Sequence, residues 1–239
     1  MNTLKIKKIA RYGMIAVLAL SASACTLMGL DLQENDKHQI RILDPEIHMS
    51  ALEFIQTPLE DTLRSFERFY DAVVYAGMED EYTKEGRTFF VFNNYAILRY
   101  NSDGVTINSG CYFGRNKVPS LDENGQPILD DNGNPVMRAA TAWSDYPVEH
   151  VRELLRAHIA EGEYSYVNLG PDNVATSSLS QVDSTQTIYL KIQNDRNSKL
   201  VVNDFPGTYR MLSARTANLK ATNGYIHVFD NSLYDARVQ

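Results

Sequence analysis

The chain has 239 residues, with 30 Asp and Glu against 23 Lys and Arg, for a formal net charge of −7. That balance argues against nucleic acid and anionic lipid headgroups as partners, because both draw their affinity from basic patches. A 44% hydrophobic content at this length suffices for a packed core, and the two cysteines, Cys25 and Cys111, allow at most one disulfide.

The first element in chain order is a leader. Lys5, Lys7, Lys8 and Arg11 precede an apolar run over 14–20 and then small residues, the pattern of an export signal. A helix that spans a bilayer takes about 20 apolar residues, so this run is too short, and no later stretch comes closer. The sequence Leu20-Ser21-Ala22-Ser23-Ala24-Cys25 resembles a bacterial lipobox, with Ala22 where leucine is more usual. The resemblance implies cleavage after Ala24 and lipidation of the Cys25 thiol, whose acyl chains would hold the protein on a membrane. Residues 1–24 are then a signal peptide and 25–46 a tether. The body becomes more acidic still, and Cys111 is left as its only other thiol. The alternative is an ordinary secretory signal cleaved near Ala24, with Cys25 incidental.

The first helix is expected just after Ser50, where Ser50 and Glu53 make a capping box. A second helix is expected from Pro58 to Gly77, because Leu59, Leu63, Phe66, Phe69, Tyr70, Val73 and Val74 recur at helical spacing. Residues 88–92, Thr-Phe-Phe-Val-Phe, read as a strand buried on both faces. A third helix is expected over 147–160, with Val151, Leu154, Leu155, His158 and Ile159 on one face and Gly162 as its stop. Strands follow at 187–192 and 200–202, separated by the turn composition of 194–197, and a closing hairpin spans 218–229. In that hairpin Asn223-Gly224 reads as the centre of a type I′ turn. Both faces of the strand after it, Tyr225 to Phe229, are largely apolar. Helices first and strands later point to an α+β fold.

Within this plan 122–129 is nearly repeated as 130–137, two copies of a Pro- and Gly-bearing octet. A calcium loop is excluded, since Pro135 stands where the sharp-turn glycine must be and no glutamate follows at the twelfth position. The pair reads as two turns on an exposed arm, inserted at about 115–145.

Three pieces in this order resemble the signatures of fasciclin-like domains. Thr88, Phe90, Asn94 and Ala96 match the first, with Phe92 in place of a proline. Leu154, Leu155, His158, Ile159, Gly162 and Tyr164 match the second, with Ala157 in place of a tyrosine. Asn223, Gly224, Ile226, His227 and Asp230 reproduce the third, Asn-Gly-x-Ile-His-x-x-Asp. The resemblance covers about 49–234. It implies N-terminal helices packed on a wedge-shaped β-sandwich, with the arm as an insertion and the domain running over 47–239.

The resemblance also bears on function. His158 lies in the region implicated in integrin adhesion in animal members, although its plainer reading is a core histidine bonded to backbone. His227 and Asp230 read as pins for the last hairpin. Trp143 and Tyr146, beside Asp145, read either as an exposed aromatic platform for a glycan or protein partner or as packing that holds the arm to the domain. The chain lacks Gly-x-Ser-x-Gly, His-Glu-x-x-His, a phosphate-binding glycine loop and Cys-x-x-Cys. No enzyme activity, cofactor or metal is expected. The chain is similar to fasciclin-like lipoproteins of Bacteroidetes-type bacteria. It is expected in the cell envelope, lipid-anchored at the outer membrane as Thr26 after Cys25 suggests, working by adhesion-type binding. The other reading is an accessory subunit of an outer-membrane nutrient-uptake system that binds a glycan or a transporter.

Overall fold

A computed structural model describes residues 45–193, 198–208 and 210–234. The leader, Cys25, residues 25–44 of the tether and the 194–197 turn lie outside the described residues. Among those described, no helix is long and apolar enough to cross a membrane.

The elements run α1 (Ala51–Gln56), α2 (Glu67–Ala76), β1 (Arg87–Phe92), α3 (Asn94–Ile97), α4 (Tyr112–Arg115), β2 (Val118–Pro119), β3 (Met137–Arg138), α5 (Val148–Arg156), β4 (Ile159–Glu161), β5 (Val174–Ser177), α6 (Asp183–Gln186), β6 (Thr187–Ile192), β7 (Leu200–Val202), β8 (Leu212–Ser213), β9 (Thr216–Ala221) and β10 (Gly224–Phe229). Two four-stranded sheets, β4-β1-β10-β9 and β5-β6-β7-β8, form the β part, and β2-β3 is a separate ribbon. This is the α+β class expected.

The first sheet is built around β1 and β10, which pair in parallel from Arg87↔Gly224 to Phe92↔Phe229. Both strands are buried on both faces, which explains their nearly unbroken apolar composition. Phe89, Val91, Ile226 and Val228 point into one core with α1, α2 and α5, whereas Phe90 and Phe229 point into a second core with Ile188, Leu190, Leu200 and Val202 of the other sheet. Burying each such side chain contributes roughly 1.5–3 kcal/mol. In the helical core Phe69 meets Phe92 edge-on with centroids 4.8 Å apart.

Four boundaries differ from expectation. The second helix begins at Glu67, not near Pro58, and Leu59 and Leu63 lie exposed rather than on its buried stripe. The cause is Asn94, whose Oδ1 accepts from Arg68 N at 2.9 Å and whose Nδ2 donates to Thr62 O and Ser65 Oγ, both at 2.8 Å. Residues 62–65 are thus held as a turn, and α2 receives its N-terminal cap from 26 residues away. The third helix ends at Arg156, because Ile159–Glu161 is claimed by β1 as an antiparallel partner. The tether ends earlier than residue 46, since Glu46 bridges Lys220 in parallel and Lys220 N donates to Pro45 O at 2.8 Å.

The fourth difference concerns the closing hairpin. Gly224 pairs with Ala221, so Thr222 and Asn223 occupy the turn and Gly224 is the first residue of β10. Gly224 is required for another reason: a Cβ there would lie 2.0 Å from Arg87 O, and its φ is +152°. The turn on the other side of α2 follows expectation, with Gly77 in the left-handed region closing the helix.

Gly224→Ala therefore forces β10 away from β1. Urea unfolding should show a loss of about 2 kcal/mol or more, whereas Gly125→Ala, at an exposed turn with open space around it, should lose less. Equal losses would contradict the close approach.

Candidate functional site

The polar residues of the three signatures converge around β1 and β10. Both signature histidines are buried, His158 at 1% exposure and His227 at 0%. At His158, Nε2 accepts from Leu233 N at 2.8 Å, which assigns the proton to Nδ1, donated to Leu154 O at 2.7 Å. The ring thereby ties the end of α5 to the segment after β10. Its neighbours are Phe92 and Tyr234.

His227 carries the opposite tautomer. Asn218 N donates to its Nδ1 at 3.0 Å, and its Nε2 donates to Tyr164 O at 3.0 Å. The β9–β10 register shifts between Ile226 and Val228, and Asn218 there has a φ of +64°. The imidazole accepts the amide proton that the bulged ladder drops. Burial lowers the His227 pKa to about 4, against a smaller upward effect of the Tyr164 carbonyl.

Asn223 is equally committed. Its Oδ1 accepts from Ala51 N at 2.9 Å, and its Nδ2 donates to Tyr82 O at 2.8 Å and Lys84 O at 3.2 Å. Asp230 accepts from Asn93 Nδ2 at 2.7 Å and pairs with Arg215 at 2.8 Å. Thr88 Oγ1 donates to Gly162 O and accepts from Tyr164 N, each at 2.9 Å, and Gly162 turns there with a φ of +97°. Leu155 and Ile226 lie fully in the core. These bonds join distant segments of the fold through side chains that reasoning from chemistry alone would nominate as reactive.

Trp143 and Tyr146 are not an exposed platform. They are 5% and 2% exposed, packed with Tyr112, Phe113 and His150 in one aromatic cluster. Trp143 Nε1 donates to Arg68 O at 2.6 Å and Tyr146 Oη to Asn116 O at 2.5 Å. An indole whose N–H reaches a backbone carbonyl gains more from burial than from display. The cluster roots the arm, helped by Arg138, which bonds Asp145 at 2.6 Å.

The arm itself has three strand pieces, one more than the two repeats seen in the sequence. Ser120 N donates to Val136 O at 2.7 Å, Val136 N to Ile128 O at 2.8 Å, and Ile128 N to Ser120 O at 2.9 Å, which closes a triangle of backbone bonds. Opposed pairs Pro119↔Met137, Leu121↔Pro127 and Leu129↔Pro135 surround it. Asp122 and Asp130 build the two intervening turns by accepting main-chain N–H groups at 2.8–2.9 Å. The missed third copy was signalled by prolines at 119, 127 and 135, each two residues before Leu or Met. Every residue from 121 to 137 is exposed.

Two surface hollows accompany these features. One of ≈410 Å³ is mostly apolar, with Phe54, Phe66, Leu219 and Val228 in its wall and Arg64 and Arg215 at its polar positions. The other, of ≈330 Å³, is lined by Leu63, Glu67, Arg68, Asp71, Arg99 and Tyr100. Both fall in the size range of small-ligand sites. Among the described residues no group of three or more His, Cys, Asp and Glu could hold a metal ion.

His227 makes stability depend on pH. Its folded pKa lies below the unfolded value near 6.5, so the unfolded chain binds more protons, and stability present at neutral pH is lost as pH falls from 6.5 toward 4. The loss from this group between pH 7 and pH 5 should be on the order of 2 kcal/mol. Burial also lowers the His150 pKa, so the difference between wild type and His227→Gln in urea titrations isolates His227. Parallel pH profiles for the two proteins would contradict the assignment.

No curated protein matches this chain. Among solved structures, a FAS1 domain pair from the insect cell adhesion molecule fasciclin I aligns with 14% identity and a TM-score of 0.46, over 78% of this chain and 51% of that one. The chain thus spans about half the length of that structure. The family model for the fasciclin domain matches residues 139–235, the portion that holds the His158 turn and the closing hairpin with Asn223, His227 and Asp230.

Proposed function

We propose that this protein is a non-enzymatic binding module of adhesion type, held on a bacterial envelope membrane by a lipid at Cys25. The observation that supports it is the commitment of His158, His227, Asn223 and Asp230 to bonds that hold the fold. Side chains used this way are withdrawn from acid-base work, so the surface is what the domain offers. Thr26 after Cys25 favours the outer membrane, and the acidic balance favours a protein or glycan partner over nucleic acid.

A second reading, glycan binding in a nutrient-uptake system, is favoured by the ≈330 Å³ hollow. There Tyr100 is 52% exposed beside Glu67, Asp71, Arg68 and Arg99, a mixture of ring face and charged hydrogen-bonding groups suited to a sugar. Retention on a glycan array that Tyr100→Ala abolishes, with unchanged melting, would move the account to this reading.

The adhesion reading expects Cys25→Ser to release the protein from the membrane fraction, and protease added to intact cells to cleave the native lipoprotein. An unchanged membrane fraction would refute the anchor, and full protection on intact cells would end the adhesion role.

A further inference from the structure

The arm at 117–138 is a surface the fold does not consume. Leu121, Leu129 and Met137 stand at equivalent positions of its three strand pieces, 53%, 58% and 47% exposed, with Ile128 and Val136 exposed between them. Apolar groups concentrated on so short a segment are unusual on a soluble surface and mark interaction sites. The backbone triangle and the two Asp-built turns hold the arm in one shape before any partner arrives, so little ordering entropy is lost on binding.

The charge around these side chains selects the partner. The two turns carry Asp122, Glu123, Asp130 and Asp131 and no basic residue. Asp122 and Asp130 spend their carboxylates on the turns, while Glu123 and Asp131 face solvent. Two such arms meeting would set these acidic turns against each other, and an anionic bilayer would repel them in the same way. We infer that the arm docks on a protein surface in which an apolar patch is bordered by lysine or arginine. This rests on the binding reading above and names the surface and the partner's chemistry for it.

The test pans a phage-displayed library of random peptides against the full-length chain. Peptides that combine Lys or Arg with Leu, Ile or Phe should be enriched. Their affinity should fall about ten-fold or more for the triple variant Leu121→Ser, Leu129→Ser, Met137→Ser. It should fall also for Glu123→Lys with Asp131→Lys, which leaves the turn bonds intact, and should weaken as salt is raised. Circular dichroism checks that both variants fold. Enriched peptides that bind both variants like wild type would overturn the arm while leaving the binding module standing. A library that yields no basic-apolar binders would overturn it too. So would sedimentation showing a dimer that the triple variant dissolves, or arm-dependent binding to phosphatidylglycerol vesicles.

Discussion

The structure depends on one strand pair. β1 and β10 come from positions 137 residues apart in the chain, yet they run in parallel register over six residues and are buried on both faces. A pair of this kind cannot be nucleated by a local turn, so its register has to be imposed from its ends. At one end the backbones approach so closely that only glycine fits at position 224. At the other, Asn93 and Asp230 bond across the strand termini. Between them the apolar side chains divide between the helical core and the core shared with the second sheet, alternating until Phe92, which joins Val91 on the helical side.

Polar side chains inside such a core are costly unless every group finds a partner. Asn223, His158, His227 and Thr88 each find theirs in backbone groups of segments far away in sequence. They convert an otherwise sliding stack of apolar strands into one arrangement. The two histidines work with opposite tautomers, so each is specified by its own pair of main-chain bonds. The arm follows a different plan: its shape comes from local turns and a backbone triangle, and an aromatic cluster fixes its base. The base of the arm belongs to the helical core, whereas beyond it Leu121, Leu129 and Met137 lie exposed and outside that core.

Much of this was legible in the sequence. The Ser50–Glu53 box, the β1 strand, β6, β7 and the Gly77 cap follow from local chemistry, and they appear where that chemistry places them. The failures share a cause. The late start of α2 depends on Asn94, the early end of α5 on pairing with β1, and the demand for Gly224 on Arg87, all contacts between residues remote in the chain. Trp143 and Tyr146 allowed two readings, a displayed pair or packing that holds the arm, and their neighbours in space, Tyr112, Phe113 and His150, decide for packing. Periodicity reports a segment's own preference and is silent on which partner claims it.

The central claim is that the two buried histidines are fastenings of the fold, each held by its own pair of main-chain bonds. Long-range proton–nitrogen NMR of the two imidazoles tests it most directly. The account predicts His158 protonated at Nδ1, His227 protonated at Nε2, and His227 still neutral at pH 5. A shared tautomer, or a His227 ring that exchanges its proton rapidly and titrates near 6.5, would contradict it.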